Sequence, residues 1–186
     1  MAEVALTAAD GESFAVRDNH GDWIVSWHPP PTPPAGKSHG SEGVCVTPTG
    51  EIVLVSRDGE RWELPAGRPE GTESWEDTLR REMLEEACAI VVQARLLGFT
   101  RGVCIAGQHK GAVLVRALWR ADVELSPWKP KFEIPHRRLV DAEHVADHLA
   151  VAAHPFAPII RRTLHEAAVP GHRRPSKDRA EDRSQI

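Results

Sequence analysis

The sequence has few cysteines, no apolar run long enough to cross a bilayer, and no excess of positive charge. Its three cysteines, Cys45, Cys88 and Cys104, lie far apart in apolar segments, which predicts reduced core thiols rather than a disulfide framework. A bilayer span needs about 20 apolar residues, and the first residues lack the features of a secretory signal, so we expect a cytoplasmic protein without membrane contact. The 23 basic and 27 acidic residues give a net charge of −4, which argues against nucleic acid as a partner.

Length and composition predict the domain organisation. A chain of 186 residues that is 41% hydrophobic is typical of one folded domain with tails. We expect an N-terminal strand and a proline-rich spacer over residues 1–40, the main domain over residues 41–169, and a disordered charged tail over residues 170–186. The N-terminal strand, predicted at residues 23–27, has two options: it pairs with the chain's own sheet or with that of a second copy. Whether the chain forms a homodimer is therefore left open by the sequence.

Short β-branched runs and two amphipathic helices are predicted in the main domain. Ser74 is an expected N-cap, with Glu76 and Asp77 in the first turn, so a helix of about four turns should end near Cys88. Apolar residues at helical spacing predict a final helix over residues 156–167. The predicted strands lie at residues 44–47, 52–56, 61–64, 91–100 and 112–123.

The helix that begins at Ser74 carries an acidic face beside an apolar one. Glu82, Glu85 and Glu86 fall within an arc of about 100° on a helical wheel. Carboxylates at this i, i+3, i+4 spacing can direct several oxygens at one point, as a hard cation requires. The helix alone does not distinguish such a site from a solvated face with i, i+4 ion pairs. The neighbouring apolar arc contains Leu79, Met83, Ala87 and Ile90.

The spacing around this helix is more specific than the helix itself. A glycine is followed after five residues by Glu, and after seven more by Arg-Glu and an apolar residue. One residue then separates these from Glu-Glu, and the last apolar residue lies three positions after the second Glu of that pair. The matching residues are Gly67, Glu73, Arg81, Glu82, Met83, Glu85, Glu86 and Ala89. The segment 67–89 thereby resembles the box of the Nudix hydrolase family. Cys88 departs from that pattern, which has glycine there, and Ala66 stands where a second glycine is common.

The resemblance implies a fold, a reaction and a cofactor. The fold would be an α/β/α sandwich with a mixed β-sheet. The reaction would be hydrolysis of a nucleoside diphosphate linked to another group, by attack of water at phosphorus. Glu82, Glu85 and Glu86 would ligate Mg²⁺ or Mn²⁺, with a backbone carbonyl at Gly67 completing the shell. Glu73 and Arg81 would form an ion pair that supports the loop.

The resemblance leaves the general base open. A carboxylate close to the bound metal is the natural acceptor for the proton of the attacking water. Glu86, within the box, and Glu133, on a later loop, are the two candidates. With the metal ligands Glu82 and Glu85 they make up the predicted catalytic residues.

The substrate is also open. Arg68 and Arg61 are candidates for contacts with the substrate phosphates. The chain has no tyrosine, so it lacks a cue that is associated with dinucleoside polyphosphate hydrolases. A nucleoside triphosphate and a nucleoside diphosphate sugar such as ADP-ribose remain equal candidates. Cys88 and Ala66 motivate a different class, a catalytically inactive module that binds a nucleotide for regulation.

Overall fold

An eight-stranded mixed sheet forms the centre of the protein, with helices on both of its faces. This computed structural model describes residues 7–18, 20–130 and 134–169. The strands are β1 (Ser13–Asp18), β2 (Gly21–His28), β3 (Lys37–Val46), β4 (Ile52–Ser56), β5 (Ala66–Gly67), β6 (Ala89–Gly107), β7 (Val113–Leu125) and β8 (His136–Val140). The helices are α1 (Trp75–Ala87), α2 (Val145–His148) and α3 (Ala157–Glu166), with 3₁₀ turns at Ala142–His144 and Val151–Ala153.

The order of the strands places β6, β7 and β3 in the middle of the sheet. The order is β1-β2-β6-β7-β3-β4-β8, and β5 pairs with β3 beside this path. β3 and β7 run parallel, whereas the other described pairs are antiparallel. The sheet is therefore mixed, as predicted.

Helix α1 packs on one face of the sheet, and α3 packs on the other. Leu79 and Met83 of α1 are fully buried on the first face, as the apolar arc of this helix predicts. Ile90, from the same predicted arc, is 51% exposed, because α1 has ended and β6 has begun at that point. Leu164 of α3 is fully buried on the opposite face. The expected α/β/α sandwich is confirmed.

Local chemistry fixes both ends of α1. The Ser74 hydroxyl accepts a hydrogen bond from the Asp77 backbone N–H, and the Asp77 carboxylate accepts one from the Ser74 backbone N–H, which together form a capping box. At the other end Cys88 adopts the left-handed conformation, with φ 47° and ψ 43°. Its backbone N–H donates to the Met83 carbonyl. The chain thus makes the turn at the position where glycine was expected, and it accepts the steric cost of a Cβ there.

The N-terminal segment joins the chain's own sheet. β2 pairs antiparallel with β6 from Gly21 to His28, so the strand predicted at residues 23–27 is confirmed as part of this sheet. The strand predicted at residues 61–64 is wrong. Only an isolated bridge between Val55 and Glu63 forms there, because Asp58 holds the preceding residues in a turn by accepting backbone hydrogen bonds. The tail predicted at residues 170–186 lies outside the described residues.

Two further expectations concern the cysteines and the membrane. The three cysteines are free and buried, as predicted. Within the described ranges, no helix is both long and apolar enough to cross a membrane.

Candidate active site

Of the three carboxylates predicted to bind a metal, Glu82 and Glu86 meet the short strand β5, and Glu85 pairs with Arg81. Glu82 is 9% exposed, and Glu85 and Glu86 are partly buried. β5 belongs to the loop that enters the helix, and it is held by its pairing with β3 at Ser41 and Glu42. The helix therefore sets the spacing of the three side chains, and the sheet sets the position of the backbone that faces them.

Glu86 is an acid that burial makes easy to protonate. Its Oε2 accepts a hydrogen bond of 3.0 Å from the Ala66 backbone N–H. Burial raises the pKa of Glu86 to about 7, against the opposing effect of that hydrogen bond, and the charge of Glu82 raises it further. Near neutral pH this group therefore holds or releases a proton readily.

Glu82 lies directly against the backbone of Gly67. A Cβ at position 67 would overlap the carboxyl group of Glu82, so only glycine leaves room for this side chain. Burial raises the pKa of Glu82, although the hydrogen bond from Arg81 acts in the opposite direction. The glycine of the sequence pattern thus has a steric role here that does not depend on a turn.

Arg81 connects the loop to the acidic face of α1. Its Nε donates to Glu73 at 2.8 Å and its Nη2 to the Arg68 carbonyl at 2.7 Å. Its Nη1 donates to Glu82 at 2.9 Å and to Glu85 at 3.1 Å. These contacts raise the pKa of Arg81, so the guanidinium is permanently charged. One cation therefore organises the loop and two of the three carboxylates.

The interpretation of α1 as an ordinary solvated helix accounts for only part of these contacts. Glu76 and Arg80 form an i, i+4 ion pair of 2.7 Å on the exposed side. Arg81, by contrast, turns away from Asp77, which serves the N-cap, and bonds to Glu73 of the loop. The charges near Glu73 therefore hold a loop against a helix, which a solvated salt-bridge ladder does not do.

We expect Glu73→Gln to loosen this loop in a pH-dependent manner. The hydrogen bonds from Arg81 lower the pKa of Glu73 to about 2, so its contribution to stability is present above the ordinary glutamate pKa and is lost as the pH falls toward 2. The midpoint of thermal unfolding should thus be lower in the variant than in the wild type at pH 7, and the difference should shrink below about pH 4. Glu76→Gln, which removes the exposed pair with Arg80, should have a smaller effect. An equal difference at pH 7 and pH 3 would show that packing rather than charge is lost.

The donor set on α1 fits a divalent cation. Glu82 and Glu86 are both acids whose ionised forms are disfavoured by burial, and the backbone of Gly67 lies against Glu82 without a side chain. In the present arrangement no three acidic, histidine or cysteine side chains of the described residues come together as a metal site. Arg81 instead supplies the positive charge between Glu82 and Glu85. A cation would compete with Arg81 for these two carboxylates.

The remaining predicted residues fall in different places. Arg68 follows Gly67 and is exposed, its backbone carbonyl accepts a hydrogen bond from Arg81, and its charge acts on His39. Arg61 belongs to the turn that Asp58 holds, and it does not line the cavity that adjoins the site. Glu133 lies outside the described residues. The structure thus joins the backbone of Arg68 to Arg81, and neither Arg68 nor Arg61 is among the residues that line the cavity.

A cavity of about 390 Å³ extends from Ala66 toward α3. Sequence reasoning missed it, because its lining comes from segments that are distant in the chain. Its polar and aromatic lining includes His39, Glu42, Trp62, Arg116, His154 and Phe156. Trp62, four residues before Ala66, is the aromatic signal in the sequence that could have indicated this cavity.

His39 brings a neutral ring to this cavity. It is the extra residue of β3 at an irregularity in the pairing with β7, and such bulges commonly re-aim a side chain next to a site. Burial, together with the positive charges of Arg116, Arg68 and Lys37, lowers the pKa of His39 to about 4. The ring is therefore uncharged at pH 7, and three cations lie near it.

Comparisons with known proteins identify the family of the chain and proteins of similar fold. The family model described as NUDIX domain matches residues 37–166. Among curated proteins, none matches the sequence at a significant level. The fold is similar to that of the pyrophosphohydrolase BsRppH of Bacillus subtilis, with a TM-score of 0.57 and 22% identity over 69% of this chain and 76% of that one. It is also similar to a NUDIX hydrolase of Nitrosomonas europaea, with a TM-score of 0.53 and 20% identity over 76% of this chain and 93% of that one.

Proposed function

The chain belongs to the NUDIX domain family, and from that premise we propose that it is a hydrolase that cleaves a nucleoside diphosphate linked to another group with the aid of Mg²⁺ or Mn²⁺. The observation that carries the proposal is the placement of Glu86 and Glu82 of α1 against the backbone of residues 66 and 67, with Arg81 joining Glu82 to Glu85. Substrate candidates are a nucleoside triphosphate and a nucleoside diphosphate sugar such as ADP-ribose. The catalytic unit is residues 41–169, and the site of action is the cytoplasm.

The side chains of this site have separate roles in the proposal. Glu82, Glu85 and Glu86, with a backbone carbonyl at Gly67, hold the cation. When bound, the cation neutralises the pyrophosphate and lowers the pKa of the attacking water.

Glu86 also receives the proton of the water. A carboxylate beside the bound cation is the natural acceptor for that proton. Glu133 is the alternative base. Arg68 and Arg61 are the proposed contacts of the substrate phosphates.

Glu73 and Arg81 act by positioning. The four hydrogen-bonded groups around Arg81 fix the loop that carries Gly67 relative to the helix that carries the carboxylates. This support keeps the oxygens of the loop and those of the helix within the small range of positions that catalysis tolerates.

The first test is product release from a panel of nucleoside triphosphates, nucleoside diphosphate sugars and dinucleotides, each with and without Mg²⁺ or Mn²⁺. We expect cleavage only with metal, and a higher midpoint of thermal unfolding when the metal is added, because it binds the folded chain. Cleavage that persists in a chelator would contradict the assigned metal site. Tight nucleotide binding without any turnover would favour the alternative, an inactive nucleotide-binding module.

A further inference from the structure

The wall of the cavity is not made by the matched domain alone. The family match begins at residue 37, yet the lining includes Asp18, Trp23 and Val25, which precede it. These residues belong to the N-terminal hairpin, formed by β1 and β2. The hairpin is part of the same sheet, since β2 pairs with β6 along its whole length, with Val25 opposite Gly102.

Alternation along β2 directs two large side chains to the face on which α3 packs. Trp23 is 9% exposed and Val25 is 4% exposed, and both lie in the core cluster that includes Ile159 of α3. Ile24, between them, points to the other face and is only partly buried. The hairpin therefore forms one wall of the cavity with every second residue.

The segment before the hairpin also holds α3, which forms the facing wall. Arg162 of α3 donates to the Ala8 carbonyl at 2.8 Å and to the Asp10 carboxylate at 3.0 Å. Its guanidinium lies 5.2 Å from the centre of the Trp27 ring of β2. Phe156, Ile159, Ile160 and Thr163 provide the lining at the α3 side. Both walls thus depend on residues that precede the matched domain.

The chemistry of the cavity suits an aromatic base. The Arg138 guanidinium lies over the Trp62 ring at 4.0 Å from its centre, while Trp62 lines the cavity and Arg138 does not. The ring is thus supported by a cation and offers its remaining surface for stacking. Nearby, Glu42 and Arg116 form an ion pair of 3.0 Å and place an acceptor and donors side by side. The edge of a nucleobase carries the same mixture of donors and acceptors.

The cavity also adjoins the carboxylates. Ala66 lines the cavity, and its backbone N–H binds Glu86. Glu63 lines it as well and is close enough for its charge to affect Glu86. A nucleotide with its base in the cavity therefore has its phosphates next to the catalytic helix.

We propose that the N-terminal hairpin contributes to the substrate specificity of this enzyme. Its residues Trp23 and Val25 form one wall of a pocket that holds the aromatic base of a nucleotide, and this base stacks on Trp62. The inference rests on the proposed function in taking a nucleotide as the ligand. It adds that the recognition of the base requires residues outside the matched domain.

The test is Val25→Phe, with Ile24→Phe as its matched control on the opposite face of β2. Calorimetric titrations would measure the binding of the four ribonucleoside monophosphates and, as a probe without a base, of inorganic pyrophosphate. We expect Val25→Phe to weaken nucleoside monophosphate binding at least about 10-fold by occupying part of the cavity, a change within the range that base stacking contributes. Pyrophosphate binding should stay within about 2-fold of the wild type, as should all values for Ile24→Phe.

Trp62→Leu and Trp62→Phe test the stacking surface in the same assay. Leucine should weaken monophosphate binding by about 5-fold or more, and phenylalanine should restore most of it.

Where a bulky change at residue 24 or 25 unfolds the chain, Val25→Leu and Ile24→Leu replace the pair. All 186 residues are kept in every variant, since β2 is an integral strand of the sheet.

The outcomes separate this inference from the proposed function. If the panel is hydrolysed but Val25→Phe and Ile24→Phe weaken nucleotide binding equally, the inference is wrong and the function stands. If nothing is hydrolysed but Val25→Phe selectively weakens monophosphate binding, the inference stands and the proposed function fails. If both Val25→Phe and Trp62→Leu leave monophosphate binding within about 2-fold of the wild type, the cavity does not hold a base, and the inference is overturned.

Discussion

Glu86→Gln should reduce turnover by at least about 100-fold while the fold stays intact. Removal of the charge takes away a metal ligand and the group proposed to receive the water's proton, and general base catalysis alone contributes about 10² to 10⁴. The amide oxygen of glutamine can still accept the hydrogen bond from the Ala66 N–H, so the loop keeps its contact with α1. The measurement is kcat on the best substrate of the panel with saturating metal.

Stability provides an independent check on this variant. Burial raises the pKa of Glu86 to about 7, so the ionised carboxylate costs stability as the pH rises from its ordinary pKa through that value. Without metal, Glu86→Gln should therefore unfold at the same temperature as the wild type or higher at pH 8. Glu76→Gln, on the exposed side of the same helix, should leave kcat unchanged. An unchanged kcat in Glu86→Gln would reject the assigned site.

Gly67→Ala should abolish most activity at little cost in stability. A Cβ at this position would overlap the carboxyl group of Glu82, which is the end of a flexible side chain and can move aside. The displaced carboxylate no longer lies where the other ligands converge, and a misplacement of about 1 Å can reduce a rate about 100-fold. We expect a comparable fall in kcat together with weaker activation by Mg²⁺, measured as the metal concentration for half-maximal rate.

Gly43→Ala is the reciprocal control. A Cβ there would come within 3.0 Å of Leu79 and 3.1 Å of Met83, in the core beneath α1 and away from the carboxylates. This variant should lose stability, as overpacked cores do by about 1 to 3 kcal/mol, and should keep its kcat below its melting temperature. If Gly67→Ala instead unfolds like Gly43→Ala and keeps the wild-type kcat, then position 67 serves packing and not the site.

The helix of the site could be predicted from the sequence because its determinants are local. Ser74 and Asp77 are three residues apart and cap each other, so the start of α1 needs no information from the rest of the chain. The spacing of Glu82, Glu85 and Glu86 likewise follows from the helical period alone. The prediction of the apolar face was wrong at Ile90, because the helical period was extended past the end of α1. Ile90 continues the apolar arc in the sequence but lies in β6.

Local spacing alone did not decide the partner of Arg81. This residue has the i, i+4 spacing for Asp77, yet it bonds to Glu73, as the family resemblance implied, because the capping box occupies Asp77 and the loop folds back over the helix. Segment 61–64 has the composition of a strand, but Asp58 and the neighbouring turn leave only one bridge at Glu63. Competition between local partners decided both cases.

The sequence by itself determined the family resemblance, the helix with its caps and the set of acidic residues, since spacing and capping are properties of neighbouring residues. Only the tertiary structure decided that Glu86 meets the Ala66 N–H, that Glu82 fills the space beside Gly67, and that residues before the matched domain wall a cavity. Burial and long-range strand pairing produce these features. They depend on segments that are far apart in the chain, and therefore no short sequence pattern contains them.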